Sequence, residues 1–332
     1  MPERTSEQRM ARRASHGRSE SIHCCFLSGN QDSRFRGNDG NSDQFAVVMT
    51  EAVFVEYRVG WKSGSVRPGA FRGLHSGPGE RFRSSVPLHA HADPRRIDVR
   101  ASLRDPFGNI WVRDFEQKSA LKVIVLADVS GSMGYVGRHD KLQQVRRIAL
   151  ALARTAWRNG DAFGFHAANE RPQDSLTLPV RLNRGAANWL DRRLSGFSAS
   201  GTSARGLRLV ARQLPRGRSL VFVVSDFHWP PGDVEDLLRR LAHHAVVPIV
   251  LWDPAESQAI HRHGIAVLRD LETGARRFVW LRPGLVEALR ARRRDHESKL
   301  RRTCARFGCA PFFVRDRFDA MELTRYFLET PV

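Results

Sequence analysis

The pattern of apolar and polar positions divides the chain near residue 120. Leu121 to Ala127 is a short apolar run rich in Val and Ile, the signature of a strand buried on both faces. Leu142, Val145, Ile148, Leu152 and Ala156 then recur at helical spacing, which predicts a helix from an Asp140 cap to about Arg158, stopped by Asn159-Gly160. Downstream, strands are expected at Ala162 to Ala167, at Leu176 to Leu182 on an edge, at Ser219 to Ser225, and at Val246 to Trp252. Helices are expected between them at about Ala186 to Leu194, Ala204 to Leu214, and from an Asp233 cap to about His244. A hairpin turning at Thr273-Gly274 follows over Ile265 to Leu281. A basic helix from Pro283 to Arg306, a strand at Pro311 to Val314 and a helix at Ala320 to Leu328 end the chain. Strands alternating with helices imply an α/β fold with a doubly wound, mainly parallel sheet over residues 119–332.

Before that point the periodicity is weak. Residues 1–48 are dominated by Ser, Arg, Gly, Asn and Asp and are expected to be disordered. The stretch Ser28 to Gly40 resembles translated repetitive intergenic sequence, and Met49 is read as the native start. Residues 49–118 read as a small lobe of loops and strands. Its Asp93 to Gly108 segment is dense in Asp and Arg, residues able to form charge-assisted pairs that pin loops.

Composition narrows the class. The chain has 332 residues, 41% of them hydrophobic and 27% charged, as in a globular protein with a sizeable core. Four cysteines make no disulfide framework, and neither a secretory leader nor a spanning segment is apparent, so a cytoplasmic protein without a membrane span is expected. The formal charge is +19, and only five of the 54 basic residues are lysine. A field of that sign favours acidic partners.

The chemistry gathers where the buried strands end. Asp128, Ser130 and Ser132 follow the first strand as Asp-x-Ser-x-Ser, and Asp226 ends the Ser219 to Ser225 strand. Thr202 lies in the polar loop Ser198 to Ser203. In a parallel sheet all strand carboxyl ends share one edge, so these oxygens can meet. Two carboxylates and three hydroxyls suit a hard divalent cation: Mg²⁺, or Mn²⁺ or Ca²⁺. Each residue also has a structural reading as a cap or turn, and that reading competes best at Thr202.

The constellation resembles the metal-ion-dependent adhesion site of a von Willebrand factor A domain, with Asp128, Ser130, Ser132, Gly201-Thr202 and Ser225-Asp226 at the five positions. The wider chain resembles the bacterial domain-of-unknown-function family number fifty-eight, in which an Arg- and Asp-rich segment ending in Ile-Asp-Trp precedes such a domain. Here Arg96-Ile97-Asp98 is followed by Val99 in place of the tryptophan, while Asp253 to Glu256 and Asp270 to Gly274 also fit. The resemblance implies a non-catalytic protein-protein interaction module. Its metal would take an acidic residue of a partner, and it would act with a MoxR-type AAA+ ATPase in protein maturation or assembly.

Other classes fare worse. A haloacid-dehalogenase-type phosphohydrolase wants a second Asp where Ser130 stands, and neither G-x-S-x-G nor a phosphate-binding G-x-x-x-x-G-K-[ST] loop is present. Nucleic-acid binding would rest on Arg290 to Arg294 and Lys299 to Arg302, a run with little aromatic interleaving that reads as a solvated helix face. His243-His244, His261 and His263 lack the Cys or acidic spacing of a zinc site. Cys304 and Cys309 are read as packing beside Phe307 and Phe312.

Overall fold

A computed structural model describes residues 54–65, 67–90, 93–253, 264–269, 276–281 and 283–330. The expectations for residues 1–48, the Thr273-Gly274 turn, His261 and His263 lie outside them.

The fold is mixed α/β around a six-stranded, mostly parallel sheet. Its central strand β3 (Lys122–Asp128) is flanked by β4 (Ala162–Ala168) and β6 (Leu220–Ser225). Beyond β6 lie β7 (Ala245–Leu251) and β10 (Phe312–Val314), also parallel. The other edge is β5 (Leu178–Arg181), antiparallel to β4, giving the order β10-β7-β6-β3-β4-β5. Val123 to Ala127 and Leu220 to Val224 are all 0% exposed, as expected of strands covered on both sides. Each such Val, Leu or Ile contributes about 1.5–3 kcal/mol by leaving water.

Helices cover both faces. On one, α2 (Lys141–Asn159) presents Val145, Ile148, Leu152 and Ala156, all 0% exposed. Its start is fixed by Asp140, which accepts from Gln143 N at 3.2 Å, and its end by Gly160 in the left-handed region (φ 74°). The helix α3 (Ala186–Ser195) and the C-terminal helix α7 (Ala320–Glu329) share this face. The opposite face carries α4 (Gly206–Gln213), α5 (Pro231–Arg240) and the end of α6 (Pro283–Arg306), with Leu207, Leu237, Leu300 and Cys304 buried. Buried Cys304 contacts Cys309, whose thiol donates to its carbonyl at 3.3 Å.

Two expectations need correction here. The helix preceding β7 starts at Pro231 and ends at Arg240, without a side-chain cap. Asp233 lies in its first turn, where it accepts from Arg205 and Arg208 at 3.2 and 3.1 Å. Proline fits the first helical position because its missing N–H would be unpaired there in any case. The edge strand also begins later than Leu176, because Asp174–Leu176 forms a 3₁₀ turn.

Ahead of the sheet, a long strand β1 (Pro68–Pro87) pairs antiparallel with β2 (Trp111–Ser119), and a short helix α1 (Val99–Arg104) lies between them. The Asp- and Arg-rich stretch is pinned locally: Asp93 caps a 3₁₀ turn, Asp98 caps α1, and Arg113 pairs with Asp98 at 2.9 Å. Residues 54–61 run onto the sheet's core, where Val55 and Tyr57 are buried and Tyr57 Oη donates to Asp161 at 2.6 Å. The antiparallel hairpin β8 (Gly264–Arg269) and β9 (Arg276–Leu281) forms a separate two-stranded sheet. Among the described residues no helix is long and apolar enough to cross a membrane.

Candidate functional site

The end of β3 places Asp128 at the carboxyl edge of the sheet, and the end of β6 places Asp226 beside it. Both are 0% exposed. Asp128 is held by three donors. Its Oδ1 accepts from Ser130 N at 2.9 Å, while Oδ2 accepts from the Ser225 hydroxyl at 2.6 Å and the Trp229 indole at 3.1 Å. Burial, and second the neighbouring Asp226 carboxylate, push the Asp128 pKa up to about 6.

The Asp-x-Ser-x-Ser loop turns immediately through a 3₁₀ segment, Gly131–Gly134. Ser130 sits at its N-cap, yet its hydroxyl makes no capping bond. It lies 3.3 Å from the Ser132 hydroxyl instead, and both serines are buried. These side chains therefore do not serve the local helix start, the competing explanation for serine in such a loop.

The adjoining loops are laced to this one through the main chain. Val129 N donates to Ala168 O at 3.1 Å, Ser200 N to Val129 O at 3.1 Å, and Gly131 N to Gly201 O at 2.9 Å. Gly201 adopts φ 99°, and an added Cβ would lie 2.4 Å from Glu170 Oε2, so the turn needs glycine on both counts. Thr202 is on the same rim but exposed, and its hydroxyl donates to Glu170 Oε1 at 2.9 Å. The structure thus gathers Asp128, Ser130, Ser132 and Asp226, with Thr202 on the adjacent loop turned to Glu170.

Ser225, which the motif carries beside Asp226, orients Asp128, and its oxygen also accepts from Phe227 N at 2.9 Å. Several residues enter that the motif did not identify. Phe227 itself is left-handed (φ 53°), a conformation rare for an aromatic residue and of the strained kind that concentrates at functional sites. Lys141, the first residue of α2, reaches Asp226 Oδ2 at 2.9 Å, and Asp226 Oδ1 accepts from His228 N at 3.2 Å. Behind them the Trp252 indole donates to Asp226 O at 2.7 Å, and the rings of His228 and His296 stack 5.4 Å apart. A cleft of about 260 Å³ opens alongside, lined by Thr202, Arg205, Arg208, His228, Trp229 and Asp233 among others. Lys141 and Trp229 had no readable signal, since helical phase and aromatic content describe each as an ordinary helix or loop residue.

The donors are all oxygens, with two charged and two neutral groups directed at one rim. Such a set can hold a hard divalent cation. Among the described residues no cluster of three or more His, Cys, Asp or Glu forms a metal site. Any ion here would therefore depend on the serine hydroxyls and water to complete its shell.

Comparison with known proteins gives the lineage. A Paracoccus denitrificans protein, described as an uncharacterized protein in the moxR 3′ region, is 35% identical over 105 residues, covering 32% of this chain and 100% of that one. The uncharacterized protein Rv1480 of Mycobacterium tuberculosis is 24% identical over 299 residues, 89% of this chain and 92% of its own. The crystal structure of the conserved hypothetical protein BatB from Bacteroides thetaiotaomicron overlays with a TM-score of 0.41 at 14% identity, covering 63% of this chain and 97% of that one, too distant to carry an argument. Residues 91–300 match the family described as "Protein of unknown function DUF58", a span that takes in the Arg- and Asp-rich segment and all of the site residues above. The chain belongs to the DUF58 family.

Proposed function

We propose that this protein is a non-catalytic interaction module of the von Willebrand factor A type, which captures an acidic side chain of a partner protein through a divalent metal ion. The observation that carries this reading is the pair of fully buried carboxylates, Asp128 and Asp226, set beside the Ser130 and Ser132 hydroxyls at the carboxyl edge of a parallel sheet. Burying two carboxylates side by side is costly without positive charge, of which Lys141, 2.9 Å from Asp226, supplies one unit and a divalent ion would supply the rest. Mg²⁺ fits the donors, with Mn²⁺ or Ca²⁺ as alternatives. Asp128, Ser130, Ser132 and Asp226 would hold it, and Thr202 would join after its hydroxyl leaves Glu170. When bound, the ion supplies an open coordination position that a carboxylate can fill.

The chain's own part is to orient and to exclude water. Ser225 and Trp229 fix the rotamer of Asp128, and the Gly131–Gly201 bond sets the spacing of the two loops that carry the hydroxyls. The proposed partner is a MoxR-type AAA+ ATPase in the cytoplasm. Support comes from the Paracoccus relative, whose description places it beside moxR. The positive field of the chain favours an acidic surface chiefly by speeding encounter.

Nucleic-acid binding has less support. In α6, Arg290, Lys299 and Arg301 pair with Glu287, Asp295 and Glu297 one turn away, as on a solvated face. The test is co-purification with a MoxR-type ATPase from the same organism. Retention in Mg²⁺, with loss in EDTA and in Asp128→Ala, is expected. Equal retention in all three would overturn the proposal.

A further inference from the structure

Lys141 sits where local physics argues against it. It is the first residue of α2, at the positive end of the helix macrodipole, where a cation is disfavoured. It is also 2% exposed, although lysine is almost never fully buried unless paired. Its ammonium lies 2.9 Å from Asp226 Oδ2, and the Tyr135 ring covers it at 5.5 Å. Both costs are met to place one fixed positive charge against one carboxylate of the candidate metal site.

We infer that Lys141 is a built-in counter-ion of this site: it neutralises Asp226 when no metal is bound and lowers the site's affinity for divalent cations. The inference rests on the metal-binding reading above and concerns how that site is regulated. With Lys141 counted, Asp128 and Asp226 leave the metal-free site only one negative charge to balance, so the fold does not require the ion. The loaded site carries a net charge of +1, which an anionic ligand removes. Without Lys141 the loaded site would already be neutral, and the attraction for a partner's carboxylate would be weaker. Lys141 thus couples weak metal retention to selection for acidic ligands.

The experiment titrates full-length wild type and Lys141→Met with Mg²⁺ alone by calorimetry, and records thermal unfolding of each in EDTA. At an effective dielectric of about 20, a unit charge several ångströms from a divalent ion is worth about two powers of ten in affinity or more. Lys141→Met is expected to bind Mg²⁺ about 100-fold more tightly than wild type while melting lower in EDTA. A lysine with only a structural role would weaken both. Unchanged or weaker Mg²⁺ affinity in a folded Lys141→Met would overturn the counter-ion role while leaving the metal site standing. Absence of Mg²⁺ binding in both proteins would overturn the metal reading, and this inference with it. Should Lys141→Met fail to fold in EDTA, the double variant Lys141→Met/Asp226→Asn is expected to fold there, because the carboxylate needing neutralisation is gone. Failure of the double variant to fold would again count against the counter-ion role.

Discussion

Asp161 offers a test of how the chain ahead of the sheet is fastened to the strand that carries Asp128. Its Oδ1 accepts from Leu121 N at 2.7 Å, just before β3, and its Oδ2 accepts from the Tyr57 hydroxyl at 2.6 Å. The residue is 1% exposed, and burial raises its pKa to about 6 despite both bonds. Since the folded value exceeds the unfolded one, the protonated form is favoured in the native state. Stability from this group is therefore present at low pH and is lost as pH rises from about 4 through 6. Between about pH 4.5 and 7.5 the loss amounts to about 2 kcal/mol, at 1.36 kcal/mol per unit. Asp161→Asn has no such titration and keeps one acceptor for Leu121 N, with an amide that can donate to the Tyr57 oxygen. Urea denaturation of both proteins at the two pH values measures the difference. The gap should move toward the variant by about 2 kcal/mol at the higher pH. A gap that is the same at both, within about 0.5 kcal/mol, would refute the reasoning, because it would mean that Asp161 titrates alike folded and unfolded.

Three further outcomes are expected. His244 is buried with neither ring nitrogen bonded, and burial, ahead of the nearby His243 and Lys122, depresses its pKa to about 4. Wild type should thus lose up to about 3 kcal/mol as pH falls from about 6.5 to 4, and His244→Leu should flatten that limb of the stability profile. An unaltered profile would exclude His244 as its source. Ser225→Ala removes the hydroxyl that bonds Asp128 and accepts from Phe227 N, and should lower stability by about 2 kcal/mol in the same urea assay. A change below about 0.5 kcal/mol would contradict its placement. Gly201→Ala must adopt φ 99° and displace Glu170, so a loss of about 1–2 kcal/mol is expected, read as a lower melting temperature. An unshifted melting temperature would show that the turn tolerates a side chain.

Much of the fold was legible because its strands are buried on both faces and its helices are amphipathic. The β3 run, the α2 stripe with its Asp140 cap, and the Gly160 stop each follow from local rules that the tertiary structure does not override. The misplaced start of α5 has a clear cause. Pro231 is as good a first helical residue as Asp233 is a cap, and Asp233 is engaged by arginines from α4, a contact no local pattern encodes. Within the site, the approach of Asp128 to Asp226 was readable from parallel topology alone. The Thr202 orientation was not, because it depends on Glu170, 32 residues away in the chain. Lys141 was hidden for a similar reason. Its partner is 85 residues distant, and its position at a helix start suggests solvent rather than burial.

The most direct test of the account is equilibrium dialysis of metal-stripped full-length protein against Mg²⁺, counting bound ion by atomic absorption. One Mg²⁺ per chain is predicted for wild type, with none above background for Asp128→Asn, which keeps the side chain's shape but removes its charge. Wild type that binds no ion, or Asp128→Asn that binds as well as wild type, would contradict the claim that the buried carboxylates at the end of β3 and β6 form a metal site.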